Sequence, residues 1–373
     1  MFKFNFSTDD IEEDQIEEIV TSDVLSSEES HVDEQSQPRI YDIKEILEGL
    51  PSRLSYSLIP IVSNPSAIAV PRRDVFDIKV QIMADDESLL PNGVEASSEQ
   101  GQFIKKELSL LLSNTEDLRT EVYEGGLKSW EGANDLTEYL ATEVGSIGDG
   151  VIELGCGSAI PSIHLFQKYI ASLTGPGPHK PVSFILSDYN YSVLRLMAGP
   201  NLLLAYHNVK YGQSQVDNQK EHEQQKQEQE QEQEPDLDIT PELVTDFLQF
   251  LQKKNISIKF ISGSWDSHRF RHLVEADFLK FTLILASETI YSPASIGQFS
   301  DLLLDALTLW NPVSAGHSAT ALVAAKDIYF GVGGSVKEFV EYIEHRAGKT
   351  EIKRRIVGKS SGVTRTVLEV TKS

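Results

Sequence analysis

Cysteine, methionine, base and long apolar runs are what this 373-residue chain has least of. It holds one cysteine, Cys156. A lone cysteine excludes a disulfide framework and a cysteine-built zinc site, and it fits a reducing compartment; no metal site is expected. No segment approaches the ~18 consecutive apolar residues of a membrane span. The opening MFKFNFSTDDIEEDQ has neither a basic n-region nor an apolar h-region, so no secretory signal is read. Against 57 Asp+Glu stand 33 Lys+Arg, a net charge of −24. That balance argues against a bulk nucleic-acid binder, and direct DNA binding is not expected. Together these absences lead us to expect a soluble, intracellular, monomeric protein without membrane contact.

The acid is unevenly placed. Residues 1–36 carry twelve acids and one base, and Gln213–Asp238 carry nine acids and two bases, so these stretches supply −18 of the −24. Few large apolar side chains occur in either, and such segments cannot bury enough surface to offset the entropy of ordering. We expect a disordered acidic tail over 1–36, in which Phe2, Phe4 and Phe6 form a strand, a docking motif or a plain apolar end. A second disordered segment, a Gln/Glu-rich insert, is expected at about 211–238; it has no apolar seam for a coiled coil.

What remains reads as a folded body. Residues 37–114 look like a small cap: IYDIKEILEGL (40–50) has helical apolar spacing, RLSYSLIPIV (53–62) reads as a strand, and FIKKELSLLLSN (103–114) as a helix. From 115 to 373 strands and helices alternate. The strands are VIELG (151–155), SFILSD (183–188), IKFISGSW (258–265), FTLILAS (281–287) and ATALVAAK (319–326), with amphipathic helical stretches between them. Such alternation implies a parallel sheet covered on both faces. KTEIKRRIVG and TRTVLEVT then read as an antiparallel hairpin. The expected class is α/β: a Rossmann-like, seven-stranded sheet of five parallel strands plus the terminal hairpin.

The sharpest local signal is the turn Glu153-Leu-Gly155-Cys-Gly157-Ser-Ala-Ile-Pro161. A buried strand runs into two glycines and then a helix opened by proline, a turn that lets a ligand approach the backbone. It departs from the G-x-G-x-x-G of dinucleotide sites, and Glu153 would repel a pyrophosphate. An adenosine with a cationic amino-acid tail suits it better; a tight turn without ligand is the bland alternative. Asp188, ending the next strand, can take ribose hydroxyls or cap a helix. Trp265 could stack beside an adenine.

ELGCG, SDYN, GSW and SETIY, in this order on this strand pattern, resemble the seven-β-strand S-adenosylmethionine-dependent methyltransferases. The stretch YEGGLKSWE (123–131), together with RRDVFDIKVQ (72–81), further resembles the protein-histidine N-methyltransferases that modify a large-subunit ribosomal protein. The resemblance spans about residue 39 to the C-terminus without the insert. Related lysine enzymes show D-x-x-Y where this chain has Glu288-Thr-Ile-Tyr291, which favours the histidine branch.

The resemblance implies S-adenosyl-L-methionine as cofactor, held by Ser129, Trp130, Glu131, Gly132, Ala133, Glu153, Gly155, Gly157, Asp188, Tyr189, Asn190, Gly263, Ser264, Trp265 and Ser287. Glu288 and Tyr291 are the candidates for orienting the target imidazole, Glu288 otherwise being a structural strand-end carboxylate. The implied substrate is a histidine of large-subunit ribosomal protein three, with contact to ribosomal precursor particles, roles in ribosome biogenesis and translation, and cytoplasmic and nuclear residence. Arg72, Arg73 and Lys79 in the cap, with Arg346, Lys349, Lys353, Arg354, Arg355 and Lys359 in the C-terminal part, could grip substrate or RNA or be solvated faces. A lysine methyltransferase of the same fold and a binding module with a dead site stay open as alternatives.

Overall fold

The computed structural model describes residues 37–64, 66–84, 89–113, 125–175, 177–222, 235–275, 282–309, 319–347, 350–360 and 362–372. The expectations for the acidic tail, Phe2, Phe4 and Phe6, Val122–Glu124, the centre of the Gln/Glu run and Lys349 lie outside the described residues.

The cap region begins with β1 (Arg39–Asp42), α1 (Ile43–Ile46), β2 (Arg53–Ile59), β3 (Val70–Arg73), α2 (Val75–Ala84) and α3 (Glu99–Ser113). The alternating part then runs α4 (Glu131–Glu143), β4 (Gly150–Leu154), α5 (Ile160–Ser172) and β5 (Val182–Asp188). Next come α6 (Tyr191–Val193), a π-helical turn at Leu194–Ala198, α7 (Gly199–His222), β6 (Asp236–Asp238), α8 (Pro241–Lys254) and β7 (Ile256–Ser262). The chain ends with α9 (Ser267–Glu275), β8 (Leu283–Ser287), α10 (Pro293–Leu309), β9 (Thr320–Lys326), α11 (Val336–Ala347), β10 (Thr350–Ser360) and β11 (Val363–Lys372).

One large sheet carries the order β1-β7-β5-β4-β8-β9-β11-β10. Strands β7, β5, β4, β8 and β9 are parallel, and β11 returns antiparallel beside β9 with β10 outside it. The parallel core and terminal hairpin match the sequence reading; the strand count does not. An eighth strand, β1, pairs antiparallel with β7. The helical spacing expected over 40–50 breaks because Tyr41 turns inward, buried, with its hydroxyl 3.1 Å from Ser262 Oγ. The helix that remains, α1, is a single turn.

The insert is also shorter than 211–238. Helix α7 continues to His222, and β6 pairs with β2 in a small separate sheet. One apolar residue explains the second point: Leu237 buries itself against Leu54 and Leu204.

Side-chain alternation along the parallel strands feeds two cores. Val151, Phe184, Leu186 and Phe260 face the layer of α4, α5, α7, α8 and the cap. Ile152, Ile185, Ile261 and Ile284 face α9, α10 and α11.

The cap is locked by a buried arginine rather than by apolar contact alone. Arg73 is fully buried, donating from Nη1 to the Leu196 carbonyl (2.9 Å), from Nη2 to Gln81 (2.8 Å) and from Nε to Asp77 (2.6 Å). Leu196 lies in the π-helical turn, whose widened register frees a carbonyl for such a partner. Arg72 donates to the Leu127 carbonyl at 2.9 Å. Both arginines therefore hold structure, and Arg73 offers no basic surface for substrate or RNA. Arg346, Lys353, Arg354 and Arg355 each pair with a carboxylate and stay exposed at the surface. Replacing Arg73 with Met would leave Asp77 and the Leu196 carbonyl without their donor, so chemical denaturation should show a loss of about 3 kcal/mol or more. A loss under about 1 kcal/mol would contradict this account of the cap.

Candidate active site

The carboxyl ends of β4, β5, β7 and β8 lie side by side because the parallel register aligns Leu154 with Ser187 and Ala286, and Asp188 with Ser262. The loops leaving them surround a cavity of about 270 Å³. In open α/β sheets this is where ligands sit.

The first loop is the glycine turn after β4. Gly155 and Gly157 have φ of 65° and 51°, the left-handed region that favours glycine. A Cβ on Gly155 would stand 2.7 Å from Thr289 Cγ2, and one on Gly157 would stand 3.0 Å from the Gly126 carbonyl oxygen. Here conformation and space both demand glycine. Ala159 also has positive φ, 56°, as the residue before α5.

Asp188, buried at the end of β5, binds two of the loops together. Its Oδ2 accepts from the Gly157 amide (2.8 Å) and its Oδ1 from the Asn190 amide (3.0 Å). The carboxylate lines the cavity beside Tyr189, Gly263, Ser264 and Trp265. Trp265 packs on Phe299 with centroids 5.2 Å apart, and its Nε1 is buried without a hydrogen-bond partner among the described residues.

Two further carboxylates lie in the protein behind this wall. Glu153 is fully buried at the end of β4, and its Oε2 accepts from the Ser162 amide near the start of α5 (3.1 Å). Burial pushes its pKa up to about 8, the Ser162 hydrogen bonds oppose the rise, and the charge of Asp188 adds to it. Glu107, on α3 of the cap, receives the Ser192 hydroxyl. Burial raises it well above the usual carboxylate range, with Asn190 opposing and Asp188 adding. Burial and the nearby Asp188 charge thus disfavour the ionised forms of Glu153 and Glu107, and a cationic ligand would favour them.

The opposite wall comes from α4 and the end of β8. Two ammonium groups approach the Trp130 ring, Lys128 Nζ at 4.9 Å and Lys326 Nζ at 5.5 Å from its centroid. Lys326 also pairs with Glu131 at 3.0 Å. Glu288 has φ of 56°, an uncommon conformation for a non-glycine residue. Its Oε1 accepts from the Gly132 amide in the first turn of α4 (3.0 Å) and lies 4.0 Å from Lys326 Nζ. A Cβ on Gly132 would fall 2.8 Å from that oxygen, so this close approach requires glycine. Burial raises the Glu288 pKa, while Tyr329, Lys326 and the Gly132 amide hold it down.

Of the residues expected from sequence, Trp130, Ala133, Gly155, Gly157, Asp188, Tyr189, Gly263, Ser264, Trp265, Ser287, Glu288 and Tyr291 line the cavity. Ser129, Glu131, Gly132, Glu153 and Asn190 are not in its wall. Sequence reading missed Lys128 and Ser158, which sit inside motifs already noted, and Ser295 and Gln298 on the first turns of α10. Glu107 carried no local signal, since it reaches Ser192 across 85 residues of chain.

No family model matches the chain. Among curated proteins it is 33% identical to Histidine protein methyltransferase 1 of Saccharomyces cerevisiae, across 92% of this chain and 91% of that one. The protein of the same name from Schizosaccharomyces pombe is 31% identical, across 79% of this chain and 73% of its own length. Among solved structures, a putative methyltransferase complexed with SAH superposes with a TM-score of 0.37 at 10% identity, covering 65% of this chain and 50% of that one, too loosely to bear on function. On the strength of the near full-length yeast match, the chain belongs to the histidine protein methyltransferase 1 family.

Proposed function

We propose that this protein transfers a methyl group from S-adenosylmethionine to an imidazole nitrogen of a histidine in a large-subunit ribosomal protein. The observation that carries the reading is the cavity at the β4, β5, β7 and β8 carboxyl ends, walled by Asp188 and two tryptophans and backed by buried acids, in a chain of this family. The cavity fits the methyl donor. Asp188 would accept from ribose hydroxyls, Trp265 and Tyr189 would flank the adenine, and Gly155 and Gly157 would let the amino-acid tail reach the backbone. Glu153 would act on the tail's ammonium through its field, from behind the turn.

The donor supplies a methyl group already activated on a sulfonium. The chain's own work is binding, orientation and exclusion of water. Neutral imidazole has a lone pair and an ordinary pKa near ~6.5, so no proton need leave before attack; a lysine ammonium, near ~10.4, would need a base. The second ring nitrogen then carries a hydrogen that needs an acceptor. Glu288 and Tyr291, both in the wall, are assigned that role, and Glu288 would stabilise positive charge developing on the ring. A ribosomal substrate is supported by the motif resemblance and by charge, since a basic protein complements a chain of net −24. Work on ribosome precursor particles, in nucleus and cytoplasm, follows from that substrate.

The reading is tested by incubating the protein with labelled cofactor and recombinant ribosomal protein three, then mapping the methyl group by mass spectrometry. Label on histidine is expected; label on lysine would sink the histidine assignment. Asp188→Ala should raise the cofactor Kd by about 100-fold in calorimetry, because it removes an acceptor and loosens two turns.

Glu288→Ala should weaken cofactor binding as well as slow transfer, since Oε1 anchors α4. Glu288→Gln should restore binding while kcat stays down by about 100-fold. Unchanged turnover in the Gln variant would remove Glu288 from the mechanism.

Glu153 supplies a pH signature. Its folded-state pKa, about 8, lies above the ordinary value of 4.5, so the ligand-free fold loses stability as pH rises through that interval. A cationic ligand reverses the preference. Cofactor binding near pH 7 should therefore release up to about one proton, seen as buffer-dependent enthalpy, and Glu153→Gln should remove most of that release.

A further inference from the structure

Between β9 and α11 the chain makes a tight loop, Asp327–Ser335, whose apolar residues face the wrong way for a core. Ile328, Phe330 and Val332 are 52%, 77% and 45% exposed, while Tyr329 between them is buried. Large apolar side chains clustered on a surface mark an interaction site more often than chance exposure does.

The loop is held firmly in this inverted state. Its ends are joined by a bridge between Ile328 and Ser335, and Asp327 is clamped by Thr366 and Arg354 of the terminal hairpin. Inside, the Tyr329 amide donates to the Gly334 carbonyl and the Gly333 amide to the Tyr329 carbonyl. Gly331 and Gly333 have φ of 89° and 94°, turning the chain so that Phe330 and Val332 point outward. The buried Tyr329 hydroxyl accepts from the Lys326 amide and sits beside Glu288.

The loop is also joined to the cavity. The Gly334 amide donates to the Tyr291 carbonyl at 2.9 Å, and a Cβ on Gly334 would overlap the Ile290 and Tyr291 backbone at 2.2–2.4 Å. Gly333 packs on Pro293. Tyr291, Ser292 and Ala294 are themselves cavity wall. The apolar cluster therefore borders the wall where Glu288 and Tyr291 would receive the target ring.

We propose that Ile328, Phe330 and Val332 form a docking rim for the polypeptide substrate, engaging an apolar side chain near the target histidine in its sequence. The occupant is a polypeptide because the rim is continuous with the cavity, and this rests on the protein-histidine reading above. A methyl donor seated against Asp188 would leave the rim uncovered, so the rim adds selectivity for the acceptor without affecting the donor.

The test uses the full chain with recombinant ribosomal protein three, comparing wild type with Phe330→Ser, Ile328→Ser/Phe330→Ser and Phe330→Leu. Expected are a KM for the protein about tenfold higher in Phe330→Ser and higher again in the double variant. The kcat should stay within about twofold, the cofactor Kd and melting temperature should match wild type, and Phe330→Leu should recover most of the loss. A KM within about twofold of wild type in both serine variants would overturn the rim while leaving the functional reading intact. So would a fall in kcat alone, or a parallel rise in cofactor Kd. Absence of histidine methylation by the wild type would instead overturn the functional reading, and the rim with it.

Discussion

The Asp188 carboxylate is the constraint on which the site depends. It sits at the carboxyl end of β5 and accepts one amide from the turn after β4 and one from the turn after β5. Each bond is charge-assisted, and together they tie the two loops to one carboxylate. Since Asp188 also lines the cavity, the residue that organises the loops stands where a ligand would meet it. The energetic tension is with Glu153 and Glu107, where burial and the Asp188 charge make a further negative charge costly. A ligand with positive charge relieves that cost, which gives the binding site its sign.

Around this centre the cap works as an outer brace. The Arg73 amide donates to Asn201 Oδ1 at 2.7 Å, and Asn201 Nδ2 donates to the Ser158 carbonyl at 2.9 Å. A path of polar contacts thus runs from β3 to the glycine turn, while the Arg73 side chain holds the π-helical turn just after α6. Glu107 reaches the same region from α3. Phe103 of α3 also packs edge-on against Tyr189 of the cavity wall, with centroids 6.5 Å apart, so polar and apolar cap contacts together support the loops.

On the other wall the strain is local and visible. Glu288 adopts positive φ directly after β8 and uses one oxygen to hold the first turn of α4. An anion at a helix N-terminus meets unpaired amides and the positive end of the dipole, which offsets the strain. Gly132 is the counterpart that makes room. Strain of this kind, next to a cavity and buried, belongs with function more than with folding.

The sequence by itself determined the parallel α/β core, the terminal hairpin, and the order of ligand-facing loops. Each rests on short-range periodicity or on glycines with a conformational duty. It also marked Asp188, Trp265 and Glu288 as candidate site residues through motifs at strand ends, and Trp130 through the family resemblance. What it left open depended on partners far apart in the chain. Tyr41 made an extra strand because Ser262 was waiting for its hydroxyl, and Leu237 ordered part of a polar run because Leu54 and Leu204 offered cover. Arg73 looked like surface base until Leu196 and Gln81 enclosed it. Only the tertiary structure could decide whether a charge faces water or a buried carbonyl, because desolvation is set by what packs around a group and not by its neighbours in sequence.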